Sequence, residues 1–142
     1  MRALLDVNVL IALLDAAHTQ HVQARTWLRD NIEQGWASCP ITQNGLVRIM
    51  SQPAYPQPVS PFQAAELLRT ATATSHHEFW ADSISLLDQE RFDVTRLHGA
   101  RQITDAFLLA LAVEHRGRFV TFDTAIPASA VPSAGARNVV VL

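Results

Sequence analysis

Lysine is missing from this sequence, and all eleven basic residues are arginine. Without lysine, the chain has neither a phosphate-binding loop of the Gly-Lys-Ser/Thr type nor the amine that an enzyme needs to form a Schiff base with its substrate. The receiver domain of response regulators, which is similar in length and also has an aspartate near its first strand, relies on a lysine as well. The composition therefore argues against all three classes.

Cysteine and long apolar runs are also scarce. The single cysteine, Cys39, excludes an internal disulfide and a zinc site made only of cysteines, and it favours a reducing compartment. No apolar run approaches 18 residues, and Asp6 and Asn8 interrupt the run at the N-terminus. We therefore expect no membrane-spanning helix, no signal peptide and a cytoplasmic location.

The composition is that of an ordinary globular protein. The chain has 142 residues, of which 49% are hydrophobic and 17% are charged, and we predict a single domain over residues 1–142. Its net charge of −2 is not typical of a nucleic-acid-binding protein. Function must therefore be inferred from the positions of particular residues.

Short apolar segments alternate along the chain with segments of helical periodicity, which indicates an α/β fold with a mostly parallel sheet covered on both faces. Gly35 and Gly117 end the clearest helical patterns, and Thr42 is a candidate N-cap. We predict strands at residues 3–5, 36–42, 76–81, 119–123 and 138–142, a helical turn at 84–88, and helices starting near residues 9, 18, 43, 62 and 103.

Three aspartates stand at the ends of predicted elements, each bordered by apolar residues. Asp6 follows the first strand, Asp123 follows a later strand, and Asp105 falls in the first turn of the helix that starts near residue 103. The carboxyl ends of parallel strands meet at one edge, where α/β proteins place their functional crevice. Any one of these aspartates taken alone is more simply a cap or a turn residue, but three together favour a site.

Carboxylates that converge in a crevice raise one another's pKa unless a cation lies among them. Hard oxygen ligands without a sulfur or imidazole partner suit Mg²⁺, or Mn²⁺. Such an ion can activate a water and stabilise charge on a phosphodiester. The pattern therefore predicts a metal site at Asp6, Asp105 and Asp123.

The three aspartates lie in two motifs, "LLDVNVLIALL" at residues 4–14 and "ITDAFLLALAVEHRGRFVTFD" at residues 103–123. These motifs and the spacing between them closely resemble the PIN-domain ribonucleases, in particular the VapC-type toxins of bacterial toxin–antitoxin modules. The resemblance spans nearly the whole chain and includes "HTQHVQARTWL", "CPITQNGLVRIMS" and "HEFWADSISLLD".

The resemblance implies a three-layer α/β/α sandwich, a Mg²⁺ site and RNA cleavage by a metal-activated water, restrained by a cognate antitoxin protein. By motif, Asp6 and Asp105 would be the principal metal ligands, and Asp123 would complete the catalytic site. Asn8 and Thr121 would orient these carboxylates. The family also leads us to expect a homodimer.

The sequence departs from the family at one point. PIN domains commonly carry a second acid, usually Glu, at the start of the helix after strand two, where this chain has Gln43 and Asn44. Either amide could supply a neutral oxygen, or Glu78 or Asp82 could reach in from a neighbouring element. The sequence leaves these alternatives open.

Three hypotheses for the function follow. The first is a Mg²⁺-dependent endoribonuclease, which requires arginines such as Arg48, Arg96 and Arg101 at the rim of the groove. The second is a catalytically weakened PIN-like module that binds antitoxin or RNA. The third, a phosphatase acting on small esters, is disfavoured because the segment from Asp6 to Asn8 lacks the second aspartate of aspartyl-nucleophile phosphatases.

Overall fold

A computed structural model describes all residues, 1–142, and contains one five-stranded sheet with all strands parallel, in the order β3-β2-β1-β4-β5. The predicted α/β class and the parallel sheet are confirmed. The strands are β1 (Ala3–Leu5), β2 (Trp36–Ser38), β3 (His77–Phe79), β4 (Arg118–Thr121) and β5 (Val139–Val141). The main helices are α1 (Val7–Leu14), α2 (His21–Asn31), α3 (Pro40–Met50), α4 (Pro61–Thr72) and α5 (Arg101–Glu114).

The sheet is covered on both faces, which gives the predicted three layers. One apolar cluster joins Leu5 to residues of α1–α4, and a second joins Leu4 to residues of α5. Successive side chains of a strand point to opposite faces. Asp6, two residues after Leu4, therefore continues the face covered by α5, which we call the α5 face.

Because the strands are parallel, all of them end at the same edge of the sheet, which we call the carboxyl edge. Helices α1 and α3 begin there, directly after β1 and β2. Helix α5 begins there too, because it must return to the opposite edge, where β4 begins. None of the helices is long and apolar enough to cross a membrane.

Helices α1, α3 and α5 begin earlier than the sequence pattern predicts, and the reason is local for α1 and α3. Helix α1 begins at Val7, not near residue 9, because the Asp6 side chain accepts a hydrogen bond from the Val7 amide and caps the helix. Helix α3 begins at Pro40, so Thr42 is not its N-cap. Proline suits the first position of a helix, where its missing N–H is not needed. Strand β2 consequently ends at Ser38.

Other differences are smaller. Residues 84–88 form turns and no helix. Helix α5 begins at Arg101, two residues before the predicted start, so its first turn contains no acid. Asp105 is the fifth helical residue, and the prediction that it lies in the first turn is wrong.

Gly117 lies where the chain turns from α5 into β4 against the start of β1. A Cβ atom at this position would lie 2.6 Å from the Arg2 carbonyl oxygen and 2.8 Å from the Trp80 ring. The close approach of these backbones therefore requires glycine.

We expect Gly117→Ala to lower the free energy of unfolding by about 1–3 kcal/mol, because the backbone oxygen of Arg2 must move away from the new methyl group. Gly99→Ala is the matched control, since a Cβ there meets nothing within 4 Å. Urea denaturation of both variants tests this, and equal stability of the two would contradict it.

Candidate active site

Asp6 is a buried carboxylate, with 8% of its surface exposed. One of its oxygens accepts a hydrogen bond from the Val7 amide at 2.7 Å, and the other accepts one from the Thr121 hydroxyl at 2.6 Å. Burial raises the pKa of Asp6, and the charge of Asp123 raises it further, whereas the two hydrogen bonds lower it. The two hydrogen bonds thus fix the side chain in place, but they do not offset the whole cost of burying its negative charge.

The Thr121 hydroxyl connects the polar groups of this edge. It donates to Asp6, accepts the backbone N–H of Asp123 at 3.0 Å, and lies 3.4 Å from the Asn8 side-chain nitrogen. Thr121 is fully buried. The orienting role that the resemblance implies for Thr121 and Asn8 matches these contacts.

Asp105 is half-buried on α5 and faces the same edge. Its pKa is raised to about 7, mainly by burial and further by the charges of Asp6 and Asp123 and a hydrogen bond with the Asp123 side chain. The three aspartates selected from the sequence therefore come together, and we call them the acidic cluster.

Asp123 is the exposed member of the acidic cluster. It follows β4, and its Oδ1 accepts a hydrogen bond from the Ala125 amide at 2.8 Å, which holds the loop after the strand in a tight turn. Asp123 thus forms the solvent-exposed side of the acidic cluster, and Asp6 forms its buried side.

No basic side chain neutralises the acidic cluster, because none of the six ion pairs in the structure involves Asp6, Asp105 or Asp123. Nearby, the side-chain oxygen of Asn8 is buried without a partner. Carboxylate and amide oxygens are the donors that Mg²⁺ prefers. As the side chains stand, however, no three acidic, histidine or cysteine groups surround a common point that would hold an ion. The donor chemistry fits a hard cation, and the coordination geometry is not formed.

Two of the four replacements considered for the missing acid lie on the wrong face of the sheet. The side-chain nitrogen of Gln43 donates to Ser38, which alternates with Ala37 and so points away from the α5 face. Gln43 and Asn44 line a groove between α3 and α4. Neither amide is therefore directed toward the acidic cluster.

The other two candidates for the missing acid, Glu78 and Asp82, differ in their partners and in the face of the sheet on which they lie. Glu78 pairs with Arg2 at 3.2 Å and accepts a hydrogen bond from the Trp80 indole, so it is already engaged. Asp82 lies against Cys39 and the first turn of α3, and burial raises its pKa. Because Cys39 belongs to the α5-face cluster, Asp82 is the candidate on the same face as Asp6. No charge interaction with the acidic cluster contributes to its pKa, so it is not one of the cluster's members.

The three arginines expected at a groove rim are placed differently. Arg96 pairs with Asp93, and Arg48 lies in the last turn of α3, away from the carboxyl edge at which that helix begins. Arg101 is exposed, begins α5 and lies at the carboxyl edge. Of the three, Arg101 is therefore the one that is both unpaired and at the carboxyl edge.

A second surface feature is an apolar groove between α1, α2 and α4. Val22 and Phe62, on α2 and α4, are each 74% exposed, which is unusual for side chains of this size. The groove consists of two adjoining pockets that share Leu14 and Ala71. One is lined by Phe62 and Leu67, and the other by Leu10, Leu13 and Leu28, whereas Val22 lies outside both. Such a surface is typical of a contact with another protein.

Comparison with known proteins supports the resemblance seen in the sequence. The family model described as the PIN domain matches residues 3–131. The chain is 57% identical to Ribonuclease VapC44 of Mycobacterium tuberculosis over 142 residues, all of both chains. It is also 42% identical to Ribonuclease VapC38 of the same organism over 125 residues, which is 87% of this chain and 86% of the relative.

A solved structure shares the fold. It is the crystal structure of VapBC2 from Rickettsia felis bound to a DNA fragment from their promoter. The TM-score is 0.67 at 14% sequence identity, and the alignment covers 100% of this chain and 99% of the other. At this identity the likeness establishes the architecture alone.

We expect Thr121→Val to destabilise the protein by about 1–3 kcal/mol, because it removes the donor to a buried carboxylate oxygen while keeping the shape of the side chain. The matched control is Thr95→Val, whose hydroxyl also donates to an aspartate but on the exposed surface. That change should cost less than about 0.5 kcal/mol. Urea denaturation at pH 8 compares the two, and an equal loss would show that the Thr121 hydroxyl has no special role.

We expect the metal-free protein to lose stability as pH rises from about 4 to about 7. Asp105 has its pKa raised from 3.8 to about 7, so folding favours its protonated form. Below pH 4 this preference is fully present, and it is lost as the pH passes the folded-state pKa. Because the side chain is half-exposed, the loss is smaller than the full pKa difference implies.

Asp105→Asn should flatten this pH dependence and make the protein more stable than wild type at pH 8. Asp30→Asn, an exposed aspartate paired with Arg29, is the control and should leave the profile unchanged. Thermal unfolding in the presence of a chelator, at pH 4 to 8, measures both. A wild-type profile parallel to that of Asp105→Asn would contradict the expectation.

Proposed function

The chain belongs to the PIN-domain family, and we propose that it is a Mg²⁺-dependent endoribonuclease, the toxin of a VapC-type toxin–antitoxin pair. The observation that carries this proposal is the acidic cluster: Asp6, Asp105 and Asp123 share one edge of the sheet without any basic partner. The full-length identity of 57% to a protein named as a ribonuclease supports the same activity.

Each residue of the cluster has a distinct role in this proposal. Asp6 and Asp105 would hold the ion, which when bound supplies charge neutralisation and an activated water near a phosphodiester. Thr121 orients Asp6 through its hydrogen bond, which also lowers the pKa of Asp6 against the effect of burial. Asp123, which is exposed and adjacent to Asp105, would accept a proton from a water molecule at the open side of the site.

A second candidate is a weakened module that binds antitoxin or RNA without turnover. It is favoured by the absence of an acid from the first turn of α3, where Gln43 instead turns to the opposite face of the sheet. Fewer carboxylates lower the affinity of a site for a divalent cation. Metal-dependent cleavage distinguishes this candidate from the nuclease.

We also propose that an antitoxin is the protein partner. The apolar groove between α1, α2 and α4, with Phe62 at its exposed end, supports a protein contact on this side of the molecule. A homodimer and a cytoplasmic location are the family's further implications. Light scattering of the purified chain would test the first, and fractionation of cells that express it would test the second.

We expect the purified, antitoxin-free chain to cut total RNA in the presence of Mg²⁺ or Mn²⁺ and not in the presence of a chelator. Asp6→Asn and Asp105→Asn should each reduce cleavage by at least about a hundredfold, because each removes a negatively charged ligand at nearly constant shape. Gel analysis of RNA fragments measures this, and Asp30→Asn should cut as wild type does.

Addition of the cognate antitoxin should suppress the cleavage. A folded wild-type chain that cuts no RNA with either metal would contradict the nuclease and favour the binding module. Cleavage that survives both aspartate substitutions would point to a contaminating nuclease.

A further inference from the structure

Arg101 is an exposed cation that has no partner and lies at the carboxyl edge, one helical turn before Asp105. It is the first residue of α5 and takes part in none of the ion pairs or side-chain hydrogen bonds of the structure. Asp105 follows it by four residues, and side chains at this spacing lie on the same face of a helix, about 5–6 Å apart at Cβ. Arg101 and Asp105 therefore share one face at the carboxyl edge.

The remaining arginines are engaged or lie elsewhere. Five of them form ion pairs, and Arg118 bonds to Asn31 and lies over the Trp27 ring. Arg116 follows α5 and Arg137 precedes β5, so both lie at the edge where strands begin. Arg25 lines a groove with Trp36, which starts β2, and Arg48 ends α3. Arg101 is thus the one unpaired arginine that the topology brings to the carboxyl edge.

Arg101 does not neutralise the aspartate one turn away. None of the six ion pairs in the structure contains either Arg101 or Asp105. The first turn of α5 has no side-chain cap, and the N–H groups of Gln102 and Ile103 donate to the carbonyls of Gly99 and Ala100. The charge of Arg101 is available to a ligand from outside.

We propose that Arg101 binds a backbone phosphate of the RNA and holds the strand against the acidic cluster. This inference rests on the proposed ribonuclease function and names a substrate-binding residue for the same site. Guanidinium groups bind phosphate through paired N–H donors, and an uncapped helix N-terminus favours an anion at the same place. An edge that carries three carboxylates repels RNA, so a cation at its rim is needed to bring the strand close.

The test compares Arg101→Gln with wild type for cleavage of a labelled single-stranded RNA in Mg²⁺. We expect KM to rise about tenfold, the size of one lost charged hydrogen bond, and kcat to change little. The control is Arg48→Gln, another exposed and unpaired arginine, and it should leave both constants unchanged. Arg101→Lys keeps the charge and should recover most of the affinity.

A binding measurement makes the test independent of cleavage. Fluorescence anisotropy follows the same RNA on Asp105→Asn, with and without Arg101→Gln, over a range of salt concentrations. Removal of one phosphate contact to a single strand should reduce the slope of log K against log salt by about 0.7. Arg101→Gln and Arg48→Gln chains that show the same KM and the same slope would overturn the inference.

The two proposals fail in different ways. If wild type cuts RNA and Arg101→Gln cuts with unchanged KM and slope, the nuclease stands and the role of Arg101 is wrong. If wild type binds RNA without cutting it and Arg101→Gln lowers the salt slope, the nuclease is wrong and the phosphate contact stands. Thermal unfolding should show equal stability for all the arginine variants, since none of these side chains packs in the core.

Discussion

The hydrogen bond from Thr121 to the buried carboxylate of Asp6 is the contact on which the rest of the site depends. An ionised carboxylate at this depth is costly unless donors surround it. One donor, the Val7 amide, comes from the next residue, but the other has to come from a different strand. Since Leu5 pairs with Val120, Thr121 lies opposite Asp6. A slip of one residue would turn the hydroxyl to the other face, so the site and the core require the same register.

The topology that supplies Thr121 also supplies the other two aspartates. Strand β4 lies beside β1 and parallel to it, and the chain reaches β4 from β3, at the edge of the sheet, through the crossover helix α5. That helix covers the face on which Asp6 lies, so Asp105 on its second turn is brought toward the same edge. Asp123 follows two residues after the end of β4. The three carboxylates therefore meet because α5 and β4 bring two of them to the end of β1, although they are far apart in sequence.

The sequence was sufficient to predict the strands and the three aspartates, because an acid that interrupts an apolar run is visible without a structure. It was less reliable about helix starts. The Asp6 side chain caps α1, and the ring of Pro40 suits the first position of α3. Neither effect is visible in the spacing of apolar residues. The sequence could not decide whether Gln43 or Asp82 replaces the missing acid, because the answer depends on which face of the sheet each side chain reaches.

The distribution of arginine explains why the acidic cluster can remain uncompensated. A net charge of −2 over 142 residues leaves little excess charge, and most arginines are held in pairs on the surface or near the strand starts. If one of them reached Asp6 or Asp105, it would stabilise the folded chain and lower the pKa of the aspartate, but it would also occupy the position of a cation. The fold instead keeps the pKa of Asp105 at about 7, at a cost in stability at neutral pH. Such an arrangement is favourable when a cation from solution binds to the folded state, because that binding returns the stability that the unpaired carboxylates remove.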